Sequence, residues 1–288
     1  MQLIQMRRQN SYYALAVLVL FLLIALVGWY TFSLGWWGGG GAPTAATTGE
    51  TTRADVSSDF VSLALTRARE GDAAGALEAL DVAIAANPNG AADAYYYRAL
   101  IKAEQGEIEA GIDDLTKALE INPHMAEAYA ARGSLYLTID RPTKAIKDFS
   151  KAIELDPEHA ANYVNRGQAY LSLDMTDLAQ QDLDRAIELD PNFLAAYFNR
   201  GVLYMQLGDP ERAIEDFTRC IDMDPNVPAP YFNRAVAYIE LNEKEKAATD
   251  LGLFLQIATD ETSRHQAEAL LNTLKSPEIM IETTPPHD

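Results

Sequence analysis

The octapeptide YFNRGVLY, Tyr197 to Tyr204, returns as YVNRGQAY from Tyr163 and YFNRAVAY from Tyr231, and more loosely as YAARGSLY from Tyr129 and YYYRALIK from Tyr95, always at a step of 34 residues or a multiple of it. A fixed period of this length confines a chain to architectures in which each copy buries its apolar face against its neighbours, because one copy is too small to close a core alone. Six copies can be laid out, at 57–91, 92–125, 126–159, 160–193, 194–227 and 228–258, and a single extra residue in NPNGAAD lengthens the first step by one.

Within each copy the punctuation predicts two antiparallel helices. Pro88, Pro123, Pro157, Pro191 and Pro225 each follow Asn or Asp. The residue before proline is driven out of the helical region, so the pair stops the second helix. Midway, Gly71, Gly106 and Gly208 share one position with Asp140, Asp174 and Asn242, residues suited to a tight turn. The first helix carries an aromatic residue (Phe60, Tyr95, Tyr129, Tyr163, Tyr197, Tyr231) and a small one four residues later (Ala64, Ala99, Gly133, Gly167, Gly201, Ala235). The second is dotted with small residues at Ala76, Ala145, Ala179, Ala213 and Ala247, then Ala83, Ala118, Ala152, Ala186 and Cys220. Large residues beside small ones at helical spacing allow helices to approach closely.

This order of aromatic, Gly or Ala, Tyr, turn, Ala, Phe or Leu, Ala and Pro resembles the tetratricopeptide repeat family, over roughly Ser57 to Leu255. The resemblance implies an all-α, right-handed superhelical solenoid of about six helix-turn-helix repeats. The departures are local: Arg67 and Lys102 stand where other repeats have Tyr, Gly111 replaces a packing Ala, and the sixth repeat ends FLQIAT without Asx-Pro. After it, 259–275 predicts one amphipathic helix, with Ala267, Leu270, Leu271 and Leu274 inward, that caps the exposed apolar end.

Arg98, Arg132, Arg166, Arg200 and Arg234 hold one position in repeats two to six, and Asp114, Asp148, Asp182, Asp216 and Asp250 hold another, sixteen residues on. Repeat one lacks both, with Leu63 and Ala79 in their places. Residues that come and go together, equally far from the turn, are expected to meet as structural ion pairs between antiparallel helices. The planar guanidinium is suited to gripping a carboxylate with two hydrogen bonds.

Asn165, Asn199 and Asn233 occur only in repeats four to six and have no such covarying partner. In the resembled family the first helices line a concave groove, and an Asn at this place often bonds the backbone of an extended peptide. The resemblance therefore implies a peptide-binding groove lined by Asn165, Gln168, Phe198, Asn199, Val202, Met205, Phe232, Asn233 and Val236. The lysines of the family's clamp for chaperone C-termini have no counterpart, since the positions hold Tyr96, Ala130, Val164, Phe198 and Phe232.

The residues argue against catalysis and against a cofactor or metal. His124, His159, His265 and His287 have no ligand-like spacing, and no glycine-rich phosphate loop follows a strand. The formal charge of −19 argues against nucleic acid as a partner. The one cysteine, Cys220, reads as a small core residue. The expected partners are other proteins or extended peptide segments, with no small-molecule substrate.

Between Arg8 and Glu50 there is no charge, and ALAVLVLFLLIALVGWY lies inside that stretch, with Tyr12 and Tyr13 before it and Trp29, Tyr30, Trp36 and Trp37 closing or following it. Residues 12–32 are long enough and apolar enough to be a transmembrane helix with interfacial aromatics. A cleaved secretory signal is less consistent with the bulky residues that end the run. Arg7 and Arg8 place the N-terminus, 1–11, in the cytoplasm by the positive-inside rule, leaving the repeats extracytoplasmic, with a bacterial inner membrane the best match. Residues 33–56, rich in Gly, Thr and Ala, read as a flexible linker, and 276–288 as a loose tail. The chain thus reads as a single-pass membrane protein and interaction scaffold. The alternatives are an extracytoplasmic holdase or assembly factor for secreted proteins, or an accessory subunit of an envelope enzyme.

Overall fold

The computed structural model describes residues 53–275; the expected membrane segment at 12–32, most of the linker and the tail at 276–288 lie outside the described residues. Thirteen α-helices and no strand are present among the described residues. They are α1 (Arg53–Arg69), α2 (Ala73–Ala86), α3 (Ala92–Glu104), α4 (Ile108–Ile121), α5 (Ala126–Thr138), α6 (Pro142–Leu155), α7 (Ala160–Leu171), α8 (Thr176–Leu189), α9 (Leu194–Gln206), α10 (Pro210–Met223), α11 (Pro228–Glu240), α12 (Lys244–Ile257) and α13 (Glu261–Lys275). One boundary is corrected: the linker was expected to run to residue 56, but α1 already begins at Arg53. Asp55 in its first turn explains the early start, because a carboxylate there complements the positive end of the helix dipole.

The chain divides into two compact units between Asn199 and Arg200, within α9. In the first, α1 packs on α2, α3 on α4, α5 on α6 and α7 on α8, and each pair meets the next through a second helix against the following first helix. In the second, α10 packs on α11, α11 on α12 and α12 on α13. No helix among the described residues is long and apolar enough to cross a membrane.

The helix ends form where the punctuation places them. Asn87, Asn122, Asp156, Asp190 and Asp224 are the C-caps of α2, α4, α6, α8 and α10, each followed by proline, and each backbone N–H donates to the carbonyl four residues back. The mid-repeat turn needs left-handed backbone: φ is +81° at Gly71 and +54° at Asp140, and Gly106, Asp174, Gly208 and Asn242 are also positive. Glycine adopts this region freely and Asx residues tolerate it, which accounts for the alternation between them.

Close helix approach fills the cores. A Cβ placed on Gly133 would lie 2.9 Å from the ring of Phe149, so α5 and α6 meet at a distance only glycine permits. In the first unit Ala64, Ala76, Leu80 and Ala83 form one buried cluster and Ala145, Phe149 and Ala169 another. In the second unit Tyr231, Phe232, Leu251, Phe254 and Ala267 are buried together, with Leu270, Leu271 and Leu274 of α13 packed against them.

Candidate functional site

Each arginine of the YxxR-type motif leaves its first helix and meets the aspartate of the second helix in the same repeat. Arg132 Nε donates to Asp148 Oδ2 at 2.7 Å and Nη2 to Oδ1 at 2.9 Å. Arg98 grips Asp114 in the same way at 2.8 and 2.6 Å, and Arg166 grips Asp182 at 2.7 and 2.8 Å. In the second unit Arg200 with Asp216 and Arg234 with Asp250 repeat the fork. All five aspartates are buried, so the two parallel bonds replace the water each carboxylate has lost. The hydrogen bond with Asp114 holds the Arg98 guanidinium above its ordinary range, against the effect of burial.

The remaining nitrogen does something that the pairing by sequence did not foresee. Nη1 of Arg132 donates to Thr116 Oγ1 at 3.1 Å, that of Arg166 to Ser150 Oγ at 3.1 Å, and that of Arg234 to Thr218 Oγ1 at 2.9 Å. Arg98 reaches Asp81 instead. Every acceptor lies on the second helix of the preceding repeat, so one arginine ties its own repeat together and binds it to its neighbour. The 34-residue recurrence of Thr, Ser and Thr at 116, 150 and 218 was the available signal. The guanidinium also sits over aromatic rings, 5.3 Å from that of Tyr95 in Arg98 and 5.7 Å from that of Tyr129 in Arg132. Lys102, one of the departures from the repeat pattern, donates to Asp114 at 2.8 Å.

The nine groove residues come out differently from one another. In the first unit Asn165 and Gln168 of α7 are half-buried, whereas Phe198 and Asn199 are buried. In the second unit Met205 is half-buried and Val202, Phe232, Asn233 and Val236 are buried. The expectation that Phe232 and Val236 line an open groove is corrected. Both belong to the core cluster of α11, α12 and α13, and Phe232 packs edge-on against Phe254 with ring centroids 5.4 Å apart. Phe254 occupies the position filled by Ala83, Ala118, Ala152, Ala186 and Cys220 in the other repeats, so the ring contact belongs to the last repeat alone, while Phe198 and Val202 are as deeply buried without it. Phe198, Asn199, Val202 and Asn233 are corrected from open to enclosed by the same measure of burial.

The asparagines turn part of their side chain to their own helix. Asn199 Nδ2 donates to Ala195 O at 2.8 Å and Asn233 Nδ2 to Ala229 O at 3.0 Å. Asn233 is only 1% exposed, yet its Oδ1 has no hydrogen-bond partner. An acceptor removed from water and left unpaired costs about 1–3 kcal/mol, and this oxygen, enclosed with the rest of its residue, is not offered to a ligand at the surface.

Among the described residues no group of three His, Cys, Asp or Glu could hold a metal ion. Burial pushes the Cys220 thiol well above its ordinary range, which keeps it protonated and unreactive at neutral pH.

Sequence profiles of the tetratricopeptide repeat match residues 61–126, 126–159, 160–193 and 194–227, more than half of the chain. No curated protein matches. Among similar solved structures, PilW, a type IV pilus biogenesis factor, is 20% identical with a TM-score of 0.66, over 75% of this chain and 98% of its own. YrrB, described as a tetratricopeptide repeat protein with an unusual peptide-binding site, is 27% identical with a TM-score of 0.51, over 67% of this chain and 99% of its own. PilF of Pseudomonas aeruginosa is 25% identical with a TM-score of 0.55, over 64% of this chain and 86% of its own.

Proposed function

Because the chain belongs to the tetratricopeptide repeat family, we propose that it is a membrane-anchored, non-enzymatic scaffold that binds a segment of another protein along the faces of its first helices. The observation that carries this reading is the pair of half-buried amides, Asn165 and Gln168, on α7. An extended segment presents backbone N–H and C=O groups at regular intervals, the partners that side-chain amides take. The peptide-binding site of YrrB supports the same use of the fold here. The apolar run at 12–32 supports the anchor, and Arg7 and Arg8 before it support an extracytoplasmic position for the repeats.

The test is affinity capture from detergent-solubilised membranes with the full chain and with Asn165→Ala and Gln168→Ala. A stoichiometric protein that is held by the wild type and lost from the variants, with melting temperatures unchanged, supports the scaffold. Equal capture by all three overturns the assignment of this face. Capture of many unfolded secreted proteins in place of one partner assigns the holdase role instead.

A further inference from the structure

Tyr96 and Tyr97 stand side by side on α3, both half-buried, with their rings edge-on at a centroid distance of 5.1 Å. Tyr97 packs against the core cluster of the first three helices, which holds the pair in place. The equivalent positions carry Ala130 and Ala131 on α5 and Val164 and Asn165 on α7, so the double ring belongs to the second repeat. Two exposed carboxylates, Asp93 in the first turn of α3 and Glu127 in the first turn of α5, adjoin it. Burial first, and then neighbouring charge, raises both phenols above their ordinary range: Tyr97 and Glu127 act on Tyr96, and Asp93 and Glu127 on Tyr97. Arg69, at the end of α1, acts on Tyr97 in the opposite sense, but it is exposed and pairs with neither carboxylate. The corner therefore keeps a negative charge in excess. A first-turn carboxylate complements the helix dipole, which accounts for the two acids but not for the paired rings beside them. Elsewhere the chain supplies its own cations to its tyrosines, with Arg98 over Tyr95, Arg132 over Tyr129 and Arg166 over Tyr163. Tyr97 has none over its ring among the described residues.

Within the first unit α3 touches α5 and α5 touches α7, so the tyrosine pair and the amides of Asn165 and Gln168 belong to one wall of first helices. Packed helix axes lie about 8–10 Å apart, which puts α3 about 16–20 Å from α7. An extended segment covers that distance in about five or six residues, at about 3.3 Å each. On the helix between them the equivalent position is the half-buried Ala130, whose methyl group puts no bulk in the way.

We propose that the segment bound by the amides of α7 also carries a lysine or arginine, whose cationic end lies against the rings of Tyr96 and Tyr97 with Asp93 and Glu127 beside it. The proposal rests on the peptide-binding reading above and adds the chemistry of the partner. A cation is drawn to the face of an aromatic ring, and a carboxylate at the ring's edge can accept its N–H groups at the same time. Charge complementarity decides between occupants. An acidic segment, or the predominantly acidic surface of a second copy of this chain of net charge −19, would set like charges together. A wholly apolar segment would use the rings but leave both carboxylates unanswered. A metal ion would need further ligands, and none cluster among the described residues.

The test is selection of random linear peptides displayed on phage against the full chain in detergent micelles, as wild type, as Asp93→Asn with Glu127→Gln, and as Asp93→Lys with Glu127→Lys. The expected result is enrichment of Lys or Arg at one place in peptides selected by the wild type, its disappearance with the neutral pair and its replacement by Asp or Glu with the lysine pair. A synthetic peptide of the selected sequence should bind the neutral pair about tenfold more weakly, and Tyr96→Leu should weaken it as well. Both carboxylates are exposed, so their replacement is expected to leave the fold intact, and melting followed by circular dichroism separates loss of fold from loss of selectivity. Acids that served only their own helices would leave the charge of the selected peptides unchanged. Enrichment of peptides without a basic residue, or of the same peptides by the lysine pair, overturns the cation site and leaves the peptide-binding reading standing. No enrichment of any peptide overturns both.

Discussion

Gly201 shows how closely single residues are matched. A Cβ at this position would lie 2.6 Å from the Phe217 ring, which has no flexible end to yield. Gly201→Ala is expected to lower stability by about 1–3 kcal/mol through overpacking, measured as a shift of the denaturant midpoint. The Arg132–Asp148 pair makes a second prediction. Its aspartate is buried, so removing either partner alone strands a charge and should cost about 3–5 kcal/mol. Arg132→Leu with Asp148→Ala should cost much less than the sum of the two, because repeat one already holds Leu63 and Ala79 at these places. Additive costs in the double-mutant cycle would sink the pairing. Glu240, half-buried at the end of α11, adds a dependence on pH. Burial raises its proton affinity in the folded chain, so its ionisation opposes folding above about pH 4.5 and contributes nothing once both states are protonated below that value. Glu240→Gln should therefore raise the melting temperature at neutral pH, and the gain should vanish as the pH falls below 4.5.

At the scale of elements, α13 takes over the work of the missing Asx-Pro stop. Arg264 Nη1 donates to the carbonyls of Leu255 and Ala258, satisfying the end of α12 with a cation where the helix dipole favours one. Ala267 is buried against the last core cluster, and three leucines of the same helix pack beside it. A chain ended after Asp260 should lose several degrees of melting temperature and self-associate at micromolar concentration, because Leu251 and Phe254 lose their cover. Unchanged melting with a monomeric truncated chain would assign α13 some other role. The helix itself was legible beforehand from the spacing of Ala267, Leu270, Leu271 and Leu274. The capping by Arg264 was not, since nothing in a single exposed-looking arginine announces which carbonyls lie within its reach.

At the scale of the whole molecule the prediction concerns the proposed anchor. The full chain is expected to stay with membranes through alkaline carbonate extraction, and a chain starting at Ala42 to be released into the soluble fraction with its helical circular dichroism intact. Release of the full chain by carbonate would remove the anchor from the proposal. Protease added to cells with a permeabilised outer layer should digest the repeats, and protection would reverse the proposed orientation.

The order of the helices, their stops and turns, and the five ion pairs were all determined by the amino-acid sequence, because a recurrence at 34 residues displays both members of each relation at fixed offsets. The proline after each C-cap and the left-handed turn positions act locally, so neighbouring residues suffice to read them. Which first-helix residues are open was decided only by tertiary structure. Phe198 and Phe232 hold the same place in their repeats and both are buried, Phe232 against Phe254, a side chain brought in from another helix. The same reason hid the acceptors behind the arginines, the unpaired Oδ1 of Asn233 and the uncompensated Glu240. A missing partner leaves no mark in the residue that lacks it, and becomes visible only when every neighbour has been placed in three dimensions.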